Sequence, residues 1–352
     1  MSPPHGASMT TAPSTPPPAT RDGQTASLGP IACPRTGFGV VEVRGGDAAS
    51  FLHGQLSSDV QSLEPGRAQY SSYNSPKGRM LANLIVLRLP AALGQDGFFL
   101  LLSGDLVETI RRRLSMFVLR SKVALRDATD DYAIFGLAGP GVVEAARSAF
   151  GAAPATFEAL AIAGNAMLVA VPDGRLLALC PAQQAPSLQA AILGHARLAD
   201  TGAWRRHDID AGIPWIVAAT SDQFVPQSAN WEILGGVNFQ KGCYPGQEIV
   251  ARTQYLGRLK ERLFAFAAAV PDAAPGAKLL SSAFGDQACG TVVSAAPDDH
   301  GGCVLLAVVQ VAAVEAPDLR LADATGTPLA PRPLPYAVPA ADAAPRHNTT
   351  GA

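Results

Sequence analysis

The sequence predicts an α+β protein made of more than one module, and three patterns in it carry that reading. Residues 37–118 mix apolar strand-like stretches with an amphipathic helix; residues 131–200 run strand, helix, strand, strand, helix; residues 263–322 break into five short strands separated by Gly, Pro and Asp. The chain has 352 residues, 48% of them hydrophobic, which is enough apolar surface to fill two or three domains.

Residues 1–30 are rich in Pro, Ser, Thr and Ala and read as a disordered tail, as do residues 338–352. In the N-terminal α+β domain, 31–130, a strand is predicted at 37–43. Asp47 then caps a helix through Phe51, Leu52, Gln55 and Leu56. Strands are expected at 80–89 and 98–102. A helix from about 105 places Leu106, Ile110, Leu114, Phe117 and Val118 on one side and Arg111, Arg112 and Arg113 largely on the other, as a solvated face.

The module 131–200 has strands at 132–137, 166–171 and 175–180, with helices from near Pro140 and over 188–198. That order is the split βαβ of ferredoxin-like sheets covered by helices on one side. After a segment at 201–260, strands at 263–269, 278–282, 289–295, 304–311 and 319–322 predict a small β-barrel over 261–337.

The 27 basic and 29 acidic residues leave a formal charge of -2, so no global field draws the chain to nucleic acid or an anionic membrane. The longest apolar run lies within 304–314, about half the length of a membrane-spanning helix, and the N-terminus lacks the pattern of a signal peptide. A cytoplasmic location is the expectation. Cys33, Cys180, Cys243, Cys289 and Cys303 form no CxxC pair, which predicts free thiols and no four-cysteine zinc or iron–sulfur site. Cys180, Cys289 and Cys303 fall in predicted strands, where a buried, inert thiol is expected.

Residues 204–262 concentrate polar, glycine and aromatic residues with little periodicity, the character of a segment that builds a site. Within it, Lys241-Gly242-Cys243-Tyr244-Pro245-Gly246-Gln247-Glu248 sets a thiol between glycines, ahead of a predicted helix through Ile249, Val250 and Tyr255. The Lys241 ammonium and that helix N-terminus both favour a thiolate, which makes a reactive or metal-binding cysteine. The same pattern reads equally well as a small buried filler.

This string closely resembles the signature of the YgfZ family, relatives of the glycine-cleavage T-protein aminomethyltransferase. The resemblance extends over Gly212-Ile213-Pro214, Phe224-Val225-Pro226-Gln227, Asn230, Lys241 through Arg252 and Gly257, and upstream over Gly54-Gln55-Leu56-Ser57-Ser58-Asp59 and Lys77-Gly78-Arg79. It implies a T-protein-like body with a C-terminal β-barrel around a central folate site, and binding of tetrahydrofolate or a one-carbon derivative. It also implies a part in assembling or maintaining iron–sulfur clusters in client enzymes, some of which modify tRNA.

A folate requires an acceptor pair for its pteridine edge, an aromatic wall and cations for its glutamate tail. The T-protein slot for a pteridine-binding Glu, just before an Ala-Gly pair, holds Asp210 here, one methylene shorter. The resemblance marks Cys243 and Lys241 as the functional thiol and its partner. It marks Asp210, Asn83, Asn230, Tyr244, Gly246, Gln247, Glu248 and Arg252 as the folate-binding set, with no metal ligands. Arg252 and Arg258 are placed to hold a carboxylate or to orient Glu248, and Trp215 and Tyr244 are candidates for the ring wall.

Where aminomethyltransferases carry paired aspartates, this chain has Ala82 and Asn83. Neither supplies the charge that assists one-carbon transfer, so glycine-cleavage activity is not expected. Two alternatives stay open: a folate-dependent aminomethyl- or methyltransferase, and a thiol enzyme pairing Cys243 with a histidine. His207 is nearest in sequence, and His53, His195 and His300 are the other candidates outside the tails.

Overall fold

The computed structural model describes residues 29–339 apart from 35, 95, 257–258 and 324–325. The predicted tails, except for residues 29–30 and 338–339, and the expected roles of Gly257 and Arg258 lie outside the described residues.

The described residues open with β1 (Ile31–Cys33), β2 (Phe38–Arg44), α1 (Ala48–Gln55), β3 (Ala68–Asn74), β4 (Met80–Arg88), β5 (Phe98–Ser103), α2 (Val107–Ser115) and β6 (Ala124–Asp127). It continues through β7 (Tyr132–Ala138), α3 (Val142–Phe150), β8 (Ala159–Ile162), β9 (Ala166–Ala170), β10 (Leu176–Pro181), α4 (Ala185–Leu193) and β11 (Arg197–Leu198). Then come α5 (Thr201–Asp210), α6 (Gln247–Leu256), β12 (Glu261–Ala268), β13 (Lys278–Leu280), β14 (Gly290–Pro297), β15 (Cys303–Gln310), α7 (Val311–Val314), β16 (Arg320–Leu321) and β17 (Leu329–Arg332).

The first sheet has the order β3-β4-β5-β2-β6. Helix α2 packs on β2 and β6 through Ile110 and Leu114, the buried face that the sequence period predicts. Asp47 precedes α1 without a side-chain cap; its carboxylate instead accepts the Lys122 backbone N–H at 2.7 Å. The expected cap is thus a tertiary tie.

The second sheet, β11-β1-β7-β10-β9-β8, is ferredoxin-like with two additions, β8 at its edge and β1 within it. Residues 31–33, grouped by the sequence with the N-terminal block, enter it as β1 between β7 and β11, antiparallel to one and parallel to the other. The predicted helix over 188–198 stops at Leu193, and Arg197–Leu198 becomes β11 because β1 offers it backbone partners. Alternate residues of β7 serve different cores, Phe135 and Leu137 beneath α3 and α4 and Ile134 toward the first sheet.

The C-terminal sheet, β16-β13-β14-β15-β12-β17, curls into a half-barrel around Phe266, Val292, Leu305 and Val309. One isolated bridge, Arg320–Pro328, ties the residue before β17 to the opposite edge strand, β16. Helix α5 packs between this sheet and the second one, touching β14 and β15 on one side and β1 and β7 on the other. A β-carbon on Gly136 of β7 would lie 2.3 Å from the Trp204 ring, so glycine is what lets α5 seat there. No helix among the described residues is long and apolar enough to cross a membrane.

Candidate functional site

The segment between α5 and α6 lies across the inner face of the first sheet, where β3 supplies an unusual row. Strand alternation points Tyr70 and Ser72 the same way, opposite Ile85 and Asn83 of β4, and Asn74 follows past a register shift after Tyr73. The sequence missed β3, because its serines occupy core positions. Tertiary partners satisfy them: Ser57 Oγ accepts from Ser72 N at 2.7 Å and Ser72 Oγ at 2.9 Å, and donates to Gly236 O at 2.6 Å.

Asn83 is fully buried and acts as a strut. Its Nδ2 donates to Pro214 O at 2.6 Å and its Oδ1 accepts the Ile216 N–H at 2.8 Å, which fixes Trp215 between them. Trp215 and Trp231 flank Tyr70 at centroid distances of 6.1 and 4.9 Å and are 5.9 Å from each other; Phe38 completes the cluster 4.7 Å from Trp215. A β-carbon on Gly236 would sit 2.1 Å from Trp231 Nε1, so this wall closes only over glycine. At the end of β3 the amide of Asn74 is 1% exposed and neither end has a partner in the protein. A buried donor and acceptor left open together mark a place for a ligand or water.

Beside this face lies a charge cluster. Arg175 pairs with Asp208 at 2.8 Å and Asp173 at 2.9 Å, and its guanidinium stacks 4.6 Å from the Trp204 ring. Burial pushes the Asp208 carboxyl up, against Arg175 and Trp215, which favour its charge. Burial also raises the Tyr70 hydroxyl far above its usual range. Asp210, two positions on, sits about 200° around the helix from Asp208. It emerges half-exposed beside Arg332 at 3.2 Å. The buried carboxylate of α5 is thus Asp208, which sequence reasoning passed over. Asn230, also buried, adopts φ +55° and ties the segment to β12, donating to Leu263 O at 3.0 Å and accepting from Arg262 at 3.3 Å.

Two of the sequence motifs meet back to back. Gly246, at φ +76°, presses on the turn before β4: a β-carbon there would lie 2.4 Å from Ser75 O and 2.7 Å from the Gly78 Cα. Gly78, at φ +72°, faces Ile249 in the same way. Both backbones require glycine. The contact orients the loop so that Tyr244 turns inward and Cys243 outward. Cys243 is exposed, which removes the filler reading; Cys33, Cys180, Cys289 and Cys303 are all buried.

Lys241 is buried, with its ammonium 5.0 Å over the Tyr244 ring. It donates to Leu56 O at 2.7 Å and to His53 O, closing the C-terminal end of α1. Desolvation lowers its pKa to about 8, with Asp59 and the Cys243 thiolate pulling the other way. Tyr244 is pushed up to about 12 by burial. Gln247 begins α6 and donates to Lys241 O at 3.4 Å, while Glu248 and Arg252 stand on the exposed face of α6 with Ile249 and Tyr255.

The Lys241 pKa is lower in the folded chain than in the unfolded one, so between about pH 8 and 10.5 the unfolded state binds more protons. Wild-type stability is therefore expected to gain on that of Lys241→Met as pH rises through this window, read as the difference in melting temperature. A difference independent of pH would place the lysine in water.

His207, the nearest histidine in sequence, is half-buried on α5, where burial lowers its pKa. The structure brings His53 to the thiol loop instead. Its Nδ1 lies 3.0 Å from Asp59 Oδ1, and its Nε2 is 3.4 Å from where a β-carbon of Gly242 would be. Asp59 Oδ1 also accepts the backbone N–H groups of Gln61 and Ser62 at 3.1 and 3.2 Å. Desolvation raises its carboxyl, but these bonds and His53 outweigh it and hold the pKa below the usual value. Among the described residues no group of three or more His, Cys, Asp or Glu is placed to hold a metal ion.

The GCVT N-terminal domain family matches residues 33–164. The chain is 33% identical over 302 residues to the tRNA-modifying protein YgfZ of Edwardsiella ictaluri, covering 84% of this chain and 89% of that protein. It is 30% identical over 305 residues to the protein of the same name from Sodalis glossinidius, covering 86% and 91%. In fold it is similar to the glycine cleavage system aminomethyltransferase T from Bartonella henselae, with a TM-score of 0.68 at 16% identity over 86% of this chain and 85% of that one.

Proposed function

Because the chain belongs to the YgfZ family of tRNA-modifying proteins and has a GcvT-like fold, we propose that it binds tetrahydrofolate or a one-carbon derivative and acts through Cys243 in assembling or repairing iron–sulfur clusters of client enzymes, tRNA-modifying ones included.

The observation that carries the folate half is the open amide of Asn74, buried near the end of β3 with neither its donor nor its acceptor partnered in the protein. A pteridine edge offers a matching acceptor and donor. Bound there, folate would supply a one-carbon carrier or a redox-active ring. The chain's part is to hold the polar edge of that ring with Asn74 and to shield it from water. Asn83 has both ends of its amide on the 214–216 backbone and supports Trp215. With Ala82 beside it the chain holds no carboxylate at this point of β4, which favours an accessory role over glycine-cleavage chemistry.

The cluster half rests on Cys243 as the one exposed thiol among the described cysteines. One thiolate does not fill the ligand set of an iron–sulfur cluster, so client or assembly protein supplies the rest.

Anaerobic calorimetry with tetrahydrofolate tests the reading. Micromolar binding is expected for the wild type, kept in Cys243→Ala and weakened at least tenfold in Asn74→Leu. The Asp210→Ala arm decides between a directly bound carboxylate at Asp210 and the Asn74 site. Absence of binding to the wild type removes folate from the account.

A further inference from the structure

Four features of the thiol loop go unused by ligand binding: the exposed Cys243, the glycine before it, and His53 and Asp59 brought up from α1 and the turn after it. Asp59 Oδ1, itself held by two backbone N–H groups, lies 3.0 Å from the buried Nδ1 of His53, which makes no well-aligned hydrogen bond in the protein. That leaves Nε2 as the ring's working nitrogen, aimed at the Gly242 backbone. Gly242 is absent from the positive-φ positions, so its backbone makes no demand for glycine. What the missing side chain leaves uncovered is the His53 nitrogen, one residue from the thiol.

We infer that Cys243 is a nucleophile whose proton is taken by His53 Nε2, with Asp59 as the residue that positions the ring. Asp59 Oδ1 lies 3.0 Å from His53 Nδ1, and the Nε2 edge of the ring lies against Gly242, the residue before the thiol, so carboxylate, base and nucleophile follow one another in the order that activates weak nucleophiles in unrelated folds. The charged side chains nearest in the loop are Lys241, whose ammonium is tied to the carbonyls of His53 and Leu56, and Glu248, exposed in the first turn of α6.

The substrate class is a sulfur electrophile, the disulfide or persulfide of a partner. The Cys243 sulfur attacks one sulfur of a partner disulfide, that S–S bond breaks, and a mixed disulfide forms with release of the other thiolate; from a persulfide it takes the outer sulfur, becoming a persulfide itself as the partner's thiolate leaves. The Cys243 proton passes to His53 and from there to the departing thiolate, so no external oxidant or reductant enters. This rests on Cys243 being the functional thiol of the proposed role, but it needs neither folate nor a client to be read.

The test is alkylation of full-length protein by iodoacetamide at pH 7, followed by mass spectrometry of the Cys243 peptide, with the four buried cysteines as internal controls. His53→Gln is expected to slow Cys243 alkylation at least tenfold and Asp59→Asn about threefold, with melting temperatures close to the wild type. His53→Gly should regain rate when free imidazole is added, which a merely structural histidine would not show. Rates within twofold of wild type for His53→Gln, or no response of His53→Gly to imidazole, overturn the assignment. Calorimetric folate binding stands apart from either outcome, so the two readings fail separately.

Discussion

Asp208→Ala is expected to cost about 3 kcal/mol of folding free energy, because it leaves the Arg175 guanidinium buried with half of its compensation gone. Both side chains are about 95% removed from solvent, and Asp173, the remaining partner, is itself partly exposed. The loss reaches beyond the pair, since Arg175 stacks on Trp204, the residue that seats α5 against β7. Urea denaturation measures it. Asp208→Asn should lose less, because the amide oxygen still accepts from Arg175. Asp210→Ala, two positions away and half-exposed, should change stability by no more than about 0.5 kcal/mol. Equal losses at 208 and 210 would mean that the buried pair contributes nothing special.

The second large effect is expected at Gly246. Replacement by Val adds a left-handed backbone penalty of roughly 1–2 kcal/mol and drives a side chain into Ser75 O and Gly78 Cα, both main-chain atoms with no rotamer to yield. Together these should cost about 3 kcal/mol or free the loop from the β3–β4 turn. Amide hydrogen exchange over residues 241–248 separates the two results. Gly54→Ala on α1 is the control: nothing lies within 4 Å of its β-carbon position, so that change should be neutral or slightly stabilising. Unaltered exchange and melting in Gly246→Val would show that the two glycine turns are not locked together.

The elements that the sequence made legible are those whose burial follows a simple period. Helix α2, β4, β5, β10 and β15 show their apolar residues as runs or as one helical face. Strand β3 was hidden because Ala-Gln-Tyr-Ser-Ser-Tyr-Asn reads as surface until Ser57 and Gly236 are brought to it. The end of α4 was overrun because its apolar pattern persists to Leu198, and only the distant β1 converts those residues to a strand. In the site, the loop around Cys243 stood out through its glycines and its family resemblance. Asp208 and His53 did not, since their roles depend on partners far off in sequence: Arg175 for one, the Gly242 backbone for the other.

The place of β1 also constrains how the chain is made. Ile31 pairs with Ala138 on one side and Arg197 on the other, so β1, the first strand among the described residues, waits until residue 198 has left the ribosome before both its edges are covered. Until then the growing chain carries an unpaired apolar strand, and the nascent second sheet carries a gap to receive it. Closing that gap late draws the two ends of the N-terminal half together, so that half matures as a unit and not module by module.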